Sequence, residues 1–172
     1  MKKLHLSQNT IADLEMAREN ASFEVEWYLD TDTGKVLMFG PDIPAADDEP
    51  RDNDPDWVKE AHAQRVEAWN DTTGRYLAVP SAGSEEGWQD MDAFIATVDD
   101  DELREALAEA IRGRGAFRRF KDVLTRAPAE RQRWFDFKQQ RTDERIRHWL
   151  AGNGFELVVE PARVTKSDEL CQ

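Results

Sequence analysis

The chain has 172 residues, of which 40% are hydrophobic and 34% are charged, and its net charge is −13. This length suits one domain, and six Trp with eight Phe can fill a core. The single cysteine, Cys171, excludes an intrachain disulfide and a cysteine-based metal site, which favours a reducing compartment. Because the sequence has no signal-peptide core and no run near the ~20 apolar residues of a membrane span, we expect a cytoplasmic protein without a membrane partner.

The first third of the chain predicts one helix and a β-hairpin. Residues 7–19 have a modest apolar stripe, and Ser7 can cap the first turn of a helix there. Apolar and polar residues alternate over residues 23–29, which is typical of a half-buried strand. The turn at 30–34 contains a glycine that can adopt positive φ, so we expect a hairpin with a second strand at 35–39.

An acidic, proline-rich loop with a net charge of −6 is predicted at 41–56. Near its end, Asp54 followed by proline predicts the N-cap of a helix over residues 55–70. Trp57 and Trp69 are among the expected buried residues of this helix.

After residue 70, the spacing of apolar residues is mostly that of amphipathic helices. Trp88 and Phe117 lie on the predicted apolar stripes of these helices. The predicted elements are a strand at 75–80, helices at 85–98, 101–112, 115–126 and 128–151, and a strand at 155–159. We therefore expect an α+β fold with a small antiparallel sheet, the hairpin plus one or two further strands, packed against five or six helices. A single domain is predicted over residues 1–160, followed by a flexible tail at 161–172.

The centre of the chain carries the run DDDELREALAEAIRGRGAFRRFKDVL at residues 99–124. This run resembles the centre of a bacterial family described only as uncharacterised, the UPF group numbered 0158. Supporting matches are YLDTDTGKVL (28–37), RYLAVP (75–80), MDAFI (91–95) and RIRHWLAGNGFEL (145–157). The resemblance spans roughly residues 7–158. It implies family membership and bacterial origin, but it supplies no catalytic residues.

No catalytic residue, metal site or cofactor is predicted from the sequence. His5, His62 and His148 are far apart and lack the spacing of paired metal ligands. The turn at 30–34 lacks the third acidic ligand and the closing Glu of a calcium loop. Since the many acids could still converge in the folded chain, an enzyme stays as an alternative interpretation.

Positive charge is concentrated in one part of this acidic chain. Residues 112–148 contain twelve Lys or Arg against five Asp or Glu, a local charge of +7. A helix that begins near Gly115 presents free N–H groups, and arginine can bind phosphate or carboxylate with two donors. The residues of this candidate anion-binding site are Arg112, Arg114, Gly115, Arg118 and Arg119. The alternative is that the arginines pair with the protein's own acids and that Phe117 is a core residue.

Further basic residues at helical spacing define a candidate surface for a partner. They are Lys121, Arg131, Lys138, Arg141 and Arg145. The sequence therefore favours a non-catalytic module that binds an unknown partner protein or an anionic ligand through the basic helical region. A nucleic-acid-associated regulator that uses the same surface, with stacking on nearby tryptophans, is an alternative. It is not favoured, because the net charge of −13 argues against indiscriminate nucleic-acid binding.

Overall fold

The computed structural model describes residues 1–22 and 24–161, which contain six helices and five strands. In chain order the elements are β1 (Lys2–Ser7), α1 (Gln8–Asn20), β2 (Glu26–Asp30), β3 (Lys35–Phe39), α2 (Asp56–Trp69), β4 (Tyr76–Ala78), α3 (Ser84–Ile95), α4 (Asp101–Ala110), α5 (Ala116–Leu124), α6 (Pro128–Gly152) and β5 (Phe155–Glu160). The described residues divide into two compact units, one comprising Met1–Ser81 together with residues 149–161, the other Ala82–His148. The fold is α+β, as predicted.

The first unit contains the predicted hairpin within a three-stranded antiparallel sheet of order β3-β2-β4. Gly34 adopts a φ of 68° in the turn between β2 and β3, a conformation that glycine reaches without steric cost. On one face of the sheet, Phe39 and Tyr76 pack with Val58 and Ala68 of α2 in a common apolar cluster. Ser7 caps α1 by accepting a hydrogen bond from Thr10 N at 3.1 Å, which confirms the predicted helix start.

The first unit also contains a two-stranded parallel sheet that the sequence analysis did not predict. In it β1 pairs with β5 in a register that places Leu4 beside Leu157. The predicted strand near the C-terminus therefore exists, but it lies outside the antiparallel sheet. Strand β1 was missed because its partner lies about 150 residues away in the chain, and a short strand with only Leu4 and Leu6 buried carries a weak signal by itself.

The acidic loop contains no helix or strand, yet part of it is fixed against α2. Ile43 is buried, and Arg65 donates hydrogen bonds from one guanidinium nitrogen to the carbonyl oxygens of Ile43 and Pro44, at 2.7 and 3.0 Å. The ring nitrogen Nε2 of His62 lies 3.1 Å from the carbonyl oxygen of Ala45. The first part of the loop is therefore held by side chains of the following helix.

Two details predicted for α2 are wrong. Asp54 does not cap the helix: its carboxylate accepts a hydrogen bond from Arg51 N at 2.8 Å, and Pro55 occupies the N-cap position without a side-chain cap. Trp57 and Trp69 are not buried, since they are 59% and 62% exposed. Trp57 lies in the first turn of α2 and Trp69 is its last residue, so both lie just beyond Val58 and Ala68, the outermost residues of the helix in the buried cluster.

The hairpin turn is fastened by a buried carboxylate. Asp30, 2% exposed, accepts hydrogen bonds from Nε and Nη2 of Arg75 at 3.0 and 2.9 Å and from Asp32 N at 3.0 Å. The hydrogen bonds from Arg75 are the main reason why the pKa of Asp30 falls to about 2, against the opposing effect of burial. The ion pair ties β2 to the residue that precedes β4.

We expect this ion pair to make stability depend on pH in the acid range. Because the pKa of Asp30 is lower in the folded chain than the ordinary value of ~3.9, its contribution is complete above pH ~4 and is lost as the pH falls towards ~2. Urea unfolding should show that the wild type loses about 2 kcal/mol more than Asp30→Asn over this interval. The exposed Asp48→Asn serves as the control. Equal losses in the wild type and Asp30→Asn would contradict the assignment.

The second unit contains α3, α4, α5 and the part of α6 up to His148, and the predicted helices there are confirmed. Its centre is an aromatic cluster in which Phe94, Phe120 and Trp134 meet edge to face, with ring centroids 4.8 to 6.3 Å apart. Asp100 caps α4 by accepting from Leu103 N at 2.8 Å. Phe117 and Trp88 are exceptions to the predicted core, since they are 43% and 41% exposed.

In the described ranges no helix is both long and apolar enough to cross a membrane. The tail predicted after residue 160 lies almost wholly outside the described residues. The single domain predicted over residues 1–160 stays a prediction.

Candidate anion-binding site

The candidate site is the turn that joins α4 to α5. Ile111 is the C-cap of α4, and two glycines with positive φ follow it, 71° at Gly113 and 77° at Gly115. Only glycine adopts these angles readily, so the Gly-Arg-Gly sequence can reverse the chain within a few residues. Gly115 is the N-cap of α5, and the first helical hydrogen bond runs from Arg119 N to Gly115 O at 3.1 Å.

The side chain of Arg119 is hydrogen-bonded to the backbone of this turn. Its Nε donates to the carbonyl oxygen of Ala110 at 3.0 Å, and its terminal nitrogens donate to the carbonyl oxygens of Arg112 and Arg114. These carbonyl groups lie at and beyond the end of α4, where helical partners are missing. Arg119, one of the predicted anion ligands, is therefore engaged with the backbone of its own turn.

The other arginines of the turn point to solvent. Arg112 pairs with Glu109 at 3.2 Å and Arg118 with Asp122 at 3.9 Å, and both arginine side chains are more than 70% exposed. Arg114 is also exposed and makes no ion pair with any described residue. Exposed ion pairs contribute only about 0–1 kcal/mol, so an external anion can replace Glu109 or Asp122 at little cost.

Backbone donors lie at the same place. The N–H groups of Ala116, Phe117 and Arg118 precede the first helical hydrogen bond of α5 and have no acceptor within the helix. The structure therefore brings Arg112, Arg114, Gly115 and Arg118 together around a helix N-terminus, where the macrodipole favours negative charge. Their role as anion ligands stays a prediction.

An open groove of about 460 Å³ lies beside the turn, between α4 and α5. Its walls include Arg112 and Arg119 but also the carboxylates of Glu109 and Asp122. Because the negative charges of the two acids offset the positive charges of the two arginines, the groove itself is not favourable for binding an anion. The exposed turn, with Arg114 and Arg118, is the better candidate.

Two members of the predicted partner surface are engaged within the protein. Arg145 donates from Nη1 and Nη2 to the two carboxylate oxygens of Asp90, at 2.7 and 2.6 Å, and Arg141 Nε donates to Oδ1 of Asp90 at 3.1 Å. Arg145 also pairs with Glu86 at 2.7 Å. The pairing with the protein's own acids, left open by the sequence, therefore holds for these two arginines.

Ion pairing keeps the buried carboxyl group of Asp90 charged. The residue Asp90 is only 3% exposed. Burial acts to raise the pKa of Asp90, but the hydrogen bonds from Arg145 and then Arg141 outweigh it and hold the pKa below its ordinary value. Asp90 in turn raises the pKa of Arg145. The network thus stays charged at neutral pH and fastens α3 to α6.

The remaining members of that set are more accessible. Lys121 is exposed in the last turn of α5. Arg131 lies over the ring of Phe135, with its guanidinium carbon 5.5 Å from the ring centroid, on the exposed part of α6. Lys138 is half-buried on the same helix. The five predicted residues thus divide into two that pair with the buried carboxylate of Asp90 and three that lie outside this network.

A comparison with known protein families settles the classification of the chain. The sequence profile of an uncharacterised protein family, UPF0158, matches residues 4–170. The chain belongs to the UPF0158 family. This match extends beyond both ends of the resemblance seen in the sequence. No curated protein and no solved structure matches the chain.

Sequence reasoning about this UPF0158 member missed Asp90, the acid that organises Arg141 and Arg145. A signal for it exists: Glu86 and Asp90 are four residues apart on α3, and the two arginines are four residues apart on α6. Residues at this spacing share a helix face, so two such pairs of opposite charge can meet when the helices pack. The match is hard to see in the sequence because the two pairs lie about fifty residues apart.

Proposed function

We propose that this UPF0158 protein is a non-catalytic binding module that recognises an anionic group on a partner through the α4–α5 turn. Arg112, Arg114 and Arg118 would bind the anion, and the N–H groups at the start of α5 would assist. The observation that carries this proposal is the position of Arg119. Its guanidinium group donates to carbonyl oxygens of the turn, whereas the exposed side chains of Arg112, Arg114 and Arg118 face solvent.

The fixed conformation of the α4–α5 turn supports a role of its arginines in ligand binding. A turn fixed by two positive-φ glycines and by Arg119 loses little conformational entropy when a ligand binds. Arginine can also donate two parallel hydrogen bonds to carboxylate or phosphate, which strengthens each contact. The local positive charge within a chain of net charge −13 further concentrates anions at this end of the second unit.

A cytoplasmic location is part of the same proposal. It is supported by the single cysteine and by the absence of a long apolar run in the sequence. The single domain over residues 1–160 is likewise proposed as the folded unit that presents the turn.

Calorimetric titration with pyrophosphate, a small multivalent anion, tests the proposed function. We expect Arg114→Ala/Arg118→Ala to weaken binding at least tenfold at low salt, because two charge-assisted contacts are removed. Raising the salt should weaken wild-type binding as well, since exposed charges are screened beyond about 8 Å at 0.15 M.

The matched control is Arg51→Ala/Arg126→Ala, which removes the same charge from exposed positions away from the turn. Arg126 follows α5 at its C-terminal end, so the pair separates a local effect from a change in net charge. Equal heats from the wild type and the Arg114/Arg118 double variant would end the proposal.

A further inference from the structure

Two half-exposed aromatic rings lie beside the arginines of the turn. Phe117 is 43% exposed, although it belongs to the first turn of α5. Its ring lies directly on Gly87 of α3, since a methyl group at position 87 would be only 2.8 Å from Cε1 of Phe117. Because Gly87 has no side chain, the Phe117 ring can pack closely against α3, and the rest of the ring stays accessible to solvent.

The second ring, Trp88, is fixed by its polar atom. Its Nε1 donates to the carbonyl oxygen of Ile111 at 3.0 Å, and the indole is still 41% exposed. Ile111 directly precedes Arg112, and Gly87 directly precedes Trp88 in the chain. The two rings thus both lie around the α4–α5 turn, and we name the exposed residues there the turn face: Trp88, Arg112, Arg114, Phe117 and Arg118.

The turn face combines apolar area with a small, interrupted positive charge. Residues 109–122 contain five Lys or Arg and two Asp or Glu, a local charge of +3, and Arg119 is engaged with the backbone. Glu109 and Asp122 are 73% and 68% exposed beside the arginines. A nucleic acid gains affinity from many successive phosphate contacts, which this interrupted patch does not offer. A small inorganic anion would leave both rings unused.

Building on the proposed function, we propose that the ligand is a short acidic segment of a partner protein that carries a large apolar side chain. Carboxylates of the segment replace Glu109 and Asp122 as partners of Arg112 and Arg118 and bind the unpaired Arg114. The apolar side chain packs on Phe117 and Trp88. Rigid aromatic anchors beside arginine are the side chains that contribute most to binding in protein interfaces.

The test uses two synthetic nine-residue acidic peptides of identical charge, one with a central tryptophan and the other with a serine there. We expect the wild type to bind the tryptophan peptide about tenfold more tightly, the effect of roughly 50 Å² of apolar contact. Phe117→Ala should abolish this preference. Gly87→Ala should do the same without removing the ring, because the added methyl group displaces it. Phe135→Ala, which removes a ring of similar exposure from α6, should keep the preference.

The outcomes separate this inference from the proposed function. If the wild type binds both peptides equally, or if Phe117→Ala and Gly87→Ala both retain the tenfold preference, the inference is overturned while anion binding stands. If Arg114→Ala/Arg118→Ala binds both peptides as the wild type does, the proposed function fails and the inference fails with it. Tighter binding of a single-stranded RNA oligonucleotide than of either peptide would also overturn the assignment of the partner class.

Discussion

Replacing Asp90 by alanine is expected to lower the free energy of unfolding by about 3 kcal/mol, as for other buried ion pairs that lose one partner. Asp90 accepts three hydrogen bonds from Arg141 and Arg145 and has a nearly fully buried side chain. Without it, Arg141 and Arg145, whose side chains are 38% and 22% exposed, lose their main acceptor. Urea unfolding at pH 7, monitored by circular dichroism, measures the change.

Asp92→Ala provides the control, since Asp92 is an exposed acid on the same helix. Its effect should stay within about 0.5 kcal/mol, as is usual for surface positions. A loss of stability in Asp90→Ala no larger than that in Asp92→Ala would show that the network contributes nothing measurable.

Phe94→Ala should have the largest effect on stability, about 4 kcal/mol, because it opens a cavity in an aromatic core. Phe94 is fully buried, and its ring centroid lies 5.3 Å from Trp134 and 5.5 Å from Phe137. Phe135→Ala is the matched control, since Phe135 is 48% exposed. Urea unfolding curves compare the two variants, and similar midpoints for both would contradict the assigned core.

The Phe94→Ala curve also tests the predicted single domain. If residues 1–160 unfold as one cooperative domain, the whole transition should move to lower denaturant concentration and keep its slope. A curve with two transitions, of which only one moves, would instead show that the two compact units unfold separately.

Much of the local structure could be predicted from the sequence because it depends on neighbouring residues. The N-cap at Ser7, the hairpin turn at Gly34 and the break between α4 and α5 each follow from a residue whose conformational preference is strong. Strand β1 could not be predicted in this way, since its pairing with β5 is decided by distant residues. The prediction that Trp57 and Trp69 are buried was wrong, because the hydrophobicity of a residue does not show where the packed part of a helix ends.

The candidate site was predictable in position but not in the roles of its residues. Glycines and arginines at 112–119 indicate a basic turn at a helix start. Nothing in that pattern distinguishes Arg119, which binds backbone carbonyl groups, from Arg118, which faces solvent. The position of the Phe117 ring was equally hidden, because the ring packs against Gly87, thirty residues earlier in the chain.

The measurement that tests the central claim most directly is an amide ¹H–¹⁵N correlation spectrum of the intact protein titrated with inorganic phosphate at low salt. If the α4–α5 turn binds anions, the amide signals of Ala116, Phe117 and Arg118 should show the largest shifts and should saturate together. Those of Arg131 and Lys138 on α6 should move little. Saturable shifts confined to α6, with the signals of residues 112–118 unchanged, would contradict the claim.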